Sequence, residues 1–518
     1  MKKQTLRDYL AVHTWVGILC GLVLFIAFYA GAFSMLEAEI TRWTQPPPPA
    51  SSALSDDGDA LVTAFFAAHP QAKGRVRLRW PGPDNAQPAL AHVPRGEPAV
   101  WWQLGEDGRL QRLARPDEGD TSGNFVDYLH RKGGLPIPLE VAEPLIGLVS
   151  LVYGLALVSG VVILLPSLVK DLFYLRLGRN LKRMWLDVHN LLGVASLPFH
   201  LVIALSAAVF GLHDIVYLAQ DKFIYQDGLR ATAARDSTPP PASVDRNHWL
   251  PPSAIRERVL AQAPQFQPVG LDYVVQPTGT IALVVGNDER HFQRASRYGL
   301  AFVHLGTGQI YDRTYLPGES GHASTAVLNS LFSLHFGSYG GDTVRLLYVA
   351  LGLSGALLFY TGNLLWIETR TKRARKPQDG PAVTRPRHVR VVSALTVGVC
   401  LGCAAALPAT LALARWLAPY VDDLNTLHQG AYYTLFCGCI GWALWRGTAG
   451  AAPGLLWFTA ACNALVPLAV LLDPVPDGFL LGALCGLSAL FFTWLSRRHR
   501  AEPAEGAPSH FHHHRPKP

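Results

Sequence analysis

The sequence predicts an all-α polytopic membrane bundle of about eight helices with two small α+β modules outside the membrane. Three observations carry that prediction. First, of 518 residues 49% are hydrophobic and only 16% charged, against roughly 25% charged in soluble domains. Second, apolar runs of about 20 residues, enough to cross a hydrocarbon core roughly 30 Å thick, alternate with two polar blocks rich in Pro, Asp and Arg. Third, basic residues gather at alternate ends of those runs. A soluble enzyme is excluded. The net charge of +7 reports topology, so no nucleic-acid partner is expected.

The apolar runs fall at 14–36, 145–166, 186–212, 344–366, 391–416, 430–446, 454–473 and 478–496. The first follows Lys2, Lys3 and Arg7 but leads into Glu37 and Glu39 rather than a small-residue cleavage site, so it reads as a retained helix. Basic clusters at Lys170, Arg176, Arg179, Lys182 and Arg183, at Arg370, Lys372, Arg373, Arg375 and Lys376, at Arg446, and at Arg497, Arg498 and Arg500 mark one side. Asp422, Asp423, Asp473 and Asp477 mark the other. The positive-inside rule then places both termini in the cytoplasm and both polar blocks outside.

The expected divisions are a first transmembrane helix (1–40), an outward module (41–125), an outer histidine segment with the second helix (126–170) and a basic loop (171–185). The third helix (186–213), a second outward module (214–325) and another histidine segment with the fourth helix (326–368) follow. A basic linker (369–390), four additional helices (391–496) and a basic His-rich tail (497–518) complete the chain. Each module begins with a short helix, at 57–69 and 253–263. Strand-like runs then follow at 75–80, 99–104 and 110–113 in the first, and at 271–275, 280–285, 299–304 and 309–315 in the second. Both modules are too small and Pro-rich for enzyme domains, and each reads as a small α+β module packed against its twin or against the membrane.

All seven cysteines (Cys20, Cys400, Cys403, Cys437, Cys439, Cys462, Cys485) lie inside apolar runs, so neither a disulfide framework nor a Cys-ligated site is expected outside the membrane. No Cys-x-x-Cys-His attaches a c-type haem. No Gly-rich nucleotide fingerprint or Walker loop is present, so electrons for any redox chemistry must come from a separate donor.

An internal repeat is the most informative feature. YLAVHTWVG (Tyr9 to Gly17) aligns with WLDVHNLLG (Trp185 to Gly193), placing His13 over His189. After each module, YLHRKGG around His130 corresponds to SLHFGSYGG around His335, and an apolar helix returns to the cytoplasm. The first 366 residues are thus a tandem repeat with an expected axis along the membrane normal. Ionisable residues at membrane depth are costly and mark function. Pairing His13 with His189 and His130 with His335 provides axial ligands for two b-type haems at two depths.

His200 is an alternative outer ligand or a neighbour of the outer haem. It lies eleven residues beyond His189, about 20° off the same helical face at a rise of about 16 Å, and its repeat equivalent is Leu24. Gly17, Gly21, Gly193, Gly352 and Gly355 are the small residues that would let the helices approach around a macrocycle. A lone interfacial histidine is more often a snorkelling or hydrogen-bonding residue, and it is the repeat-matched set that favours ligation. The tail histidines His510, His512, His513 and His514 read as a disordered tail in preference to a loose metal site, and the aromatic residues among the helices as ordinary packing.

VHTWVG in the first helix, LVSLVYGLALVSGVVILLP in the second, DVHNLLGVASLPFH in the third and SLHFGSYGGDTVRLLYVALGLSGALLFYTGNLLW around the fourth together resemble the PepSY-associated transmembrane family, also called iron-regulated inner-membrane proteins. The resemblance covers about residues 5–370. It implies a four-helix haem-binding core with PepSY-like periplasmic modules, in proteins similar to ferric-siderophore reductases, with haem at His13, His130, His189 and His335. The additional helices match nothing in that pattern and offer only His428 as a candidate site residue.

The expected function is therefore di-haem electron transfer across the bacterial inner membrane, reducing a periplasmic ferric siderophore or other ferric chelate with electrons from a separate cytoplasmic or quinol donor. The alternative is a non-enzymatic regulatory or binding membrane protein with structural histidines. A metal transporter is disfavoured because the four core helices carry no deep acidic residues to neutralise a cation.

Overall fold

The computed structural model describes residues 3–45, 58–82, 87–105, 107–113, 121–167, 176, 181–226, 228, 241–287, 299–316, 319, 323–374, 386–421 and 423–501. Lys2, Lys170, Arg179, Arg375, Lys376, Asp422 and the tail histidines lie outside these residues. Seven described helices are long and apolar enough to cross a membrane. The longest, Leu424–Leu472, is two helices meeting at Gly447 (φ 69, ψ 167), a left-handed backbone conformation suited to glycine. That break falls between the sixth and seventh runs expected from sequence.

The chain forms two compact units, residues 1–383 with 414–429, and residues 384–413 with 430–518. In the first, α1 (Lys3–Ser34) is followed by the short α2 (Glu37–Thr44) and the module helix α3 (Asp59–Ala68). After four strands come α4 (Ser122–Arg131) and the long α5 (Leu139–Leu164). The second repeat runs through α6 (Leu181–Ala195), α7 (Leu197–Phe223), the module helix α8 (Pro252–Gln262), four more strands, α9 (Ala323–Phe336) and α10 (Gly341–Ala374). The contacts respect the repeat: α1 packs on α5 as α6 packs on α10, α1 on α10 as α7 on α5, and α1 on α4 as α7 on α9.

The third helix expected from sequence is in fact two rods, interrupted at Ser196. Pro198, in the first turn of α7, has no N–H to continue the hydrogen-bond ladder from α6. Rotation counted along one ideal helix from His189 to His200 therefore does not hold.

The two modules form one continuous antiparallel sheet of eight strands in the order β4-β3-β2-β1-β5-β6-β7-β8. These strands are β1 (Gly74–Arg79), β2 (Ala89–Val93), β3 (Val100–Leu104), β4 (Leu110–Leu113), β5 (Gln267–Gln276), β6 (Gly279–Asn287), β7 (Gly299–Val303) and β8 (Ile310–Asp312). The strand Ala89–Val93 is absent from the sequence-based expectation; its five residues are Ala-rich and Pro-flanked, with little β-branched signal. At the centre β1 pairs with β5, Val76 opposite Tyr273 and Leu78 opposite Leu271. Alternation sends those four side chains to the face covered by α3 and α8, where Phe65, Phe66, Ile255 and Val259 complete the core. On β1 and β5, Arg79 donates to Asp272 at 2.6 Å. Asp59 at the start of α3 accepts from the backbone N–H and hydroxyl of Ser253 in α8, tying the two module helices together.

In the second unit, Gly398 and Gly402 allow close approach to Ile440 and Cys439, where an added Cβ would come within 2.9 Å. Asn463 donates to the carbonyl of Ala404 at 2.8 Å, and Thr459 to that of Leu401 at 3.2 Å. All seven cysteines are free, and six are buried.

Candidate functional site

The fold assembles both histidine pairs. His13 and His189 have ring centroids 6.1 Å apart with planes at 81°, and His130 and His335 are also 6.1 Å apart, with planes at 46°. The pair that the sequence expects nearer the cytoplasm, His13 with His189 (the inner pair), comes from α1 and α6, the first segments of the two repeats. The outer pair comes from the short helices α4 and α9. Tight turns end those helices: Gly133 and Gly134 have φ 55 and 76, and a Cβ there would strike Val23, Ile146 and Ile26.

Each ring is held through Nδ1. His13 Nδ1–H donates to the carbonyl of Ala156 (2.9 Å), and His130 Nδ1–H to that of Ala27 (2.7 Å). His189 Nδ1–H points to the carbonyl of Leu358 (3.2 Å), with Thr361 Oγ1 at 3.3 Å. His335 Nδ1 lies 2.8 Å from Ser206 Oγ; that hydroxyl donates to Val202, leaving a lone pair to accept the imidazole proton. A carbonyl can only accept, so these partners assign the proton to Nδ1 and leave the Nε2 lone pair free to bind a metal. A second ring nitrogen hydrogen-bonded in this way is the usual support of a metal-ligating histidine. Among the described residues, no group of three or more His, Cys, Asp or Glu could hold a metal ion.

The glycines beside these rings are not those named from sequence. An added Cβ would stand 2.9 Å from His130 Nδ1 at Gly31, 3.0 Å from His13 Cε1 at Gly160 and 3.3 Å from His189 Cε1 at Gly362. Of the expected set, Gly21, Gly352 and Gly355 are at close helix contacts, Gly193 meets Leu358 at an ordinary 3.5 Å, and Gly17 has nothing within 4 Å. Gly160 and Gly362 occupy equivalent repeat positions, a correspondence visible once the second and fourth helices are aligned.

His200 joins neither pair. It is fully buried among Phe28, Tyr153 and Phe199, with ring centroids at 5.3, 6.1 and 5.7 Å. As an alternative outer ligand it is displaced by His130, which the turn after α4 brings to His335. His428, also buried, hydrogen-bonds through Nε2 to Ser122 Oγ at 2.8 Å and stacks on Phe125. It thus grips the start of the helix that carries His130. Ser122 had no sequence signal, because only the fold brings it to a residue 306 positions away.

A multi-pass membrane protein whose two halves each contribute one histidine to each of two half-buried stations is the class that this fold and site define. Residues 10–369 match the family described as PepSY-associated TM region, and the chain belongs to that family. It is 29% identical over 384 residues to the uncharacterized protein PA4219 of Pseudomonas aeruginosa, covering 66% of this chain and 88% of that protein. The matched family region ends before α11 (Arg387–Leu417), so the additional helices lie beyond it.

Proposed function

We propose that this protein carries electrons across the bacterial inner membrane through two b-type haems and reduces a ferric siderophore or related ferric chelate on the periplasmic side. The observation that supports this reading is the matched separation of the two histidine pairs, 6.1 Å between ring centres in each. With about 2 Å per metal–nitrogen bond and about 1.1 Å from nitrogen to ring centre, an iron between opposed imidazoles needs about 6 Å. Two imidazoles are an axial donor set, suited to an iron whose other four ligands come from a porphyrin.

A haem at each pair supplies a one-electron ferric/ferrous couple. The chain's own residues fix the rings: Ala156, Leu358, Ala27 and Ser206 hold the Nδ1 protons. In this proposal both termini are cytoplasmic and the eight-stranded sheet is periplasmic, above the outer pair. A separate quinol or cytoplasmic reductase supplies the electron. The chelate's iron(III) gains that electron and becomes iron(II), which siderophore oxygen ligands hold less tightly than the harder ferric ion.

The test begins with the purified full-length protein from haem-replete cells, which should contain about two extractable haems per chain. Reduced with dithionite, freed of excess reductant and mixed anaerobically with ferric siderophores, it should reoxidise with one ferrous ion trapped per electron. Reoxidation no faster than without chelate, across chemically distinct siderophores, removes the reductase assignment. A colourless protein removes the haem assignment as well.

A further inference from the structure

The four-helix core contains an aromatic cluster to which each helix contributes: Phe28 from α1, Tyr153 from α5, Phe199 and His200 from α7, and Phe359 from α10. Phe28 is its hub, with ring centroids 5.2 Å from Phe359, 5.3 Å from His200, 6.1 Å from Tyr153 and 6.2 Å from Phe199. The cluster breaks the repeat. Aligning His189 with His13 places His200 at the position of Leu24, and aligning Gly362 with Gly160 places Tyr153 at the position of Gly355. One side of the axis therefore carries Leu24 and Gly355, and the other carries His200 and Tyr153. The missing side chain at Gly355 is required, since a Cβ there would stand 2.3 Å from Phe28 and 3.0 Å from His200.

His200 and Tyr153 are 0% and 3% exposed, their rings are 6.1 Å apart, and neither His200 nitrogen nor the Tyr153 hydroxyl has a hydrogen-bond partner. Each such buried group costs about 1–3 kcal/mol if left unsatisfied. The packing does not demand polarity there, because the equivalent positions are Leu and Gly. A single water that accepts from the Tyr153 O–H and donates to the unprotonated His200 nitrogen would leave the His200 N–H unpartnered and its own second hydrogen facing aromatic rings. A carboxylate accepts from both at once and strengthens each bond through its charge.

The geometry points to a carboxylate-binding site formed by Tyr153 and His200, whose ligand is a propionate of the porphyrin at the inner histidine pair; this rests on the haem reading of that pair. Tyr153 lies three residues, about 4.5 Å of helix rise, from Ala156, whose carbonyl anchors His13. The Tyr153 O–H and one His200 N–H donate to the propionate oxygens. The site lies on one side of the repeat axis only, so it selects one of the two orientations that a symmetric pair of imidazoles leaves equivalent.

The experiment uses full-length protein made in haem-deficient cells, in a His130→Ala background so that only the inner pair binds. It is titrated in detergent with haem b and with the haem b dimethyl ester. The chain with Tyr153 and His200 intact should bind the ester at least about tenfold more weakly, because esterification removes the charge that strengthens both hydrogen bonds. Tyr153→Phe combined with His200→Leu should lose that part of the discrimination, narrowing the difference between the two porphyrins about tenfold. Tyr153→Phe alone, which preserves ring and packing, should shift a redox-difference infrared band of isotope-labelled propionates. Equal discrimination with and without the substitutions, or an unshifted band, overturns the site and leaves water as the occupant. Failure of the inner pair to bind either porphyrin overturns the haem reading together with this site, a different and distinguishable result.

Discussion

The inner and outer pairs have the same ring separation, yet they are built differently. His13 and His189 stand on helices of the bundle and are anchored to carbonyls of α5 and α10. His130 and His335 stand on the short helices α4 and α9, held against α1 and α7 by Ala27 and Ser206. The inner geometry therefore follows from bundle packing, whereas the outer geometry also depends on how two short helices are tethered. Contacts remote from the histidines should perturb the outer pair and leave the inner pair unchanged.

The largest expected effect tests the pairing itself. His13→Ala or His189→Ala should each remove one of about two haems, with the remaining bis-histidine spectrum belonging to the outer pair; His130→Ala or His335→Ala should leave the inner spectrum. Haem counting by pyridine extraction checks this. A His200→Ala protein that loses the outer haem while His130→Ala retains it would restore the single-helix ladder. Gly31→Ala comes next: its methyl would press on His130 at 2.9 Å. A cost of about 1–3 kcal/mol should weaken haem retention at the outer pair alone, measured by competition with apomyoglobin.

A smaller effect follows from the grip on α4. Ser122→Ala leaves His428 without its Nε2 partner, and its Nδ1 already has none. A loss of about 1 kcal/mol should lower outer haem affinity severalfold and leave inner affinity unchanged. An equal change at both pairs would mean that the contact only stabilises the whole fold. The smallest effect is acid sensitivity of the sheet. Arg313 donates to Glu319 and holds its carboxyl below the ordinary 4.5. Because the folded value is depressed, this contribution is present above about pH 4.5 and is lost as the pH falls through the folded value. Both side chains are partly exposed, so solvent screening keeps the effect small. Glu319→Gln should reduce the acid sensitivity of unfolding below that range and leave haem binding at neutral pH unchanged.

The histidine pairs were legible because a repeat carries pairing information: two copies of one local motif imply equivalent positions about an axis. What anchors them was less legible. The carbonyls of Ala156, Leu358 and Ala27 belong to the backbone and have no residue signature, and Gly31, Gly160 and Gly362 resemble any small residues in an apolar run. His200 misleads because helical rotation assumes a continuous rod, and Pro198 interrupts it. The sequence shows two modules because their strands fall in two polar blocks, and it allows them to pack together without saying how. The β1–β5 pairing that joins them is a long-range contact that neither block contains.

That strand pairing also speaks to the ancestry of the architecture. Leu78 and Leu271 face each other across it, and each lies nineteen residues after the first residue of its module helix, Asp59 or Pro252. Equivalent residues opposed in an antiparallel ladder are what a two-fold interface between identical chains produces. Each half supplies only one member of each histidine pair, so neither half owns a site. Two identical half-chains would supply both stations, but symmetry would force the same residue on both sides of the core. One continuous chain is free of that constraint, and Tyr153 beside His200, opposite Gly355 and Leu24, is a difference that two identical half-chains could not hold.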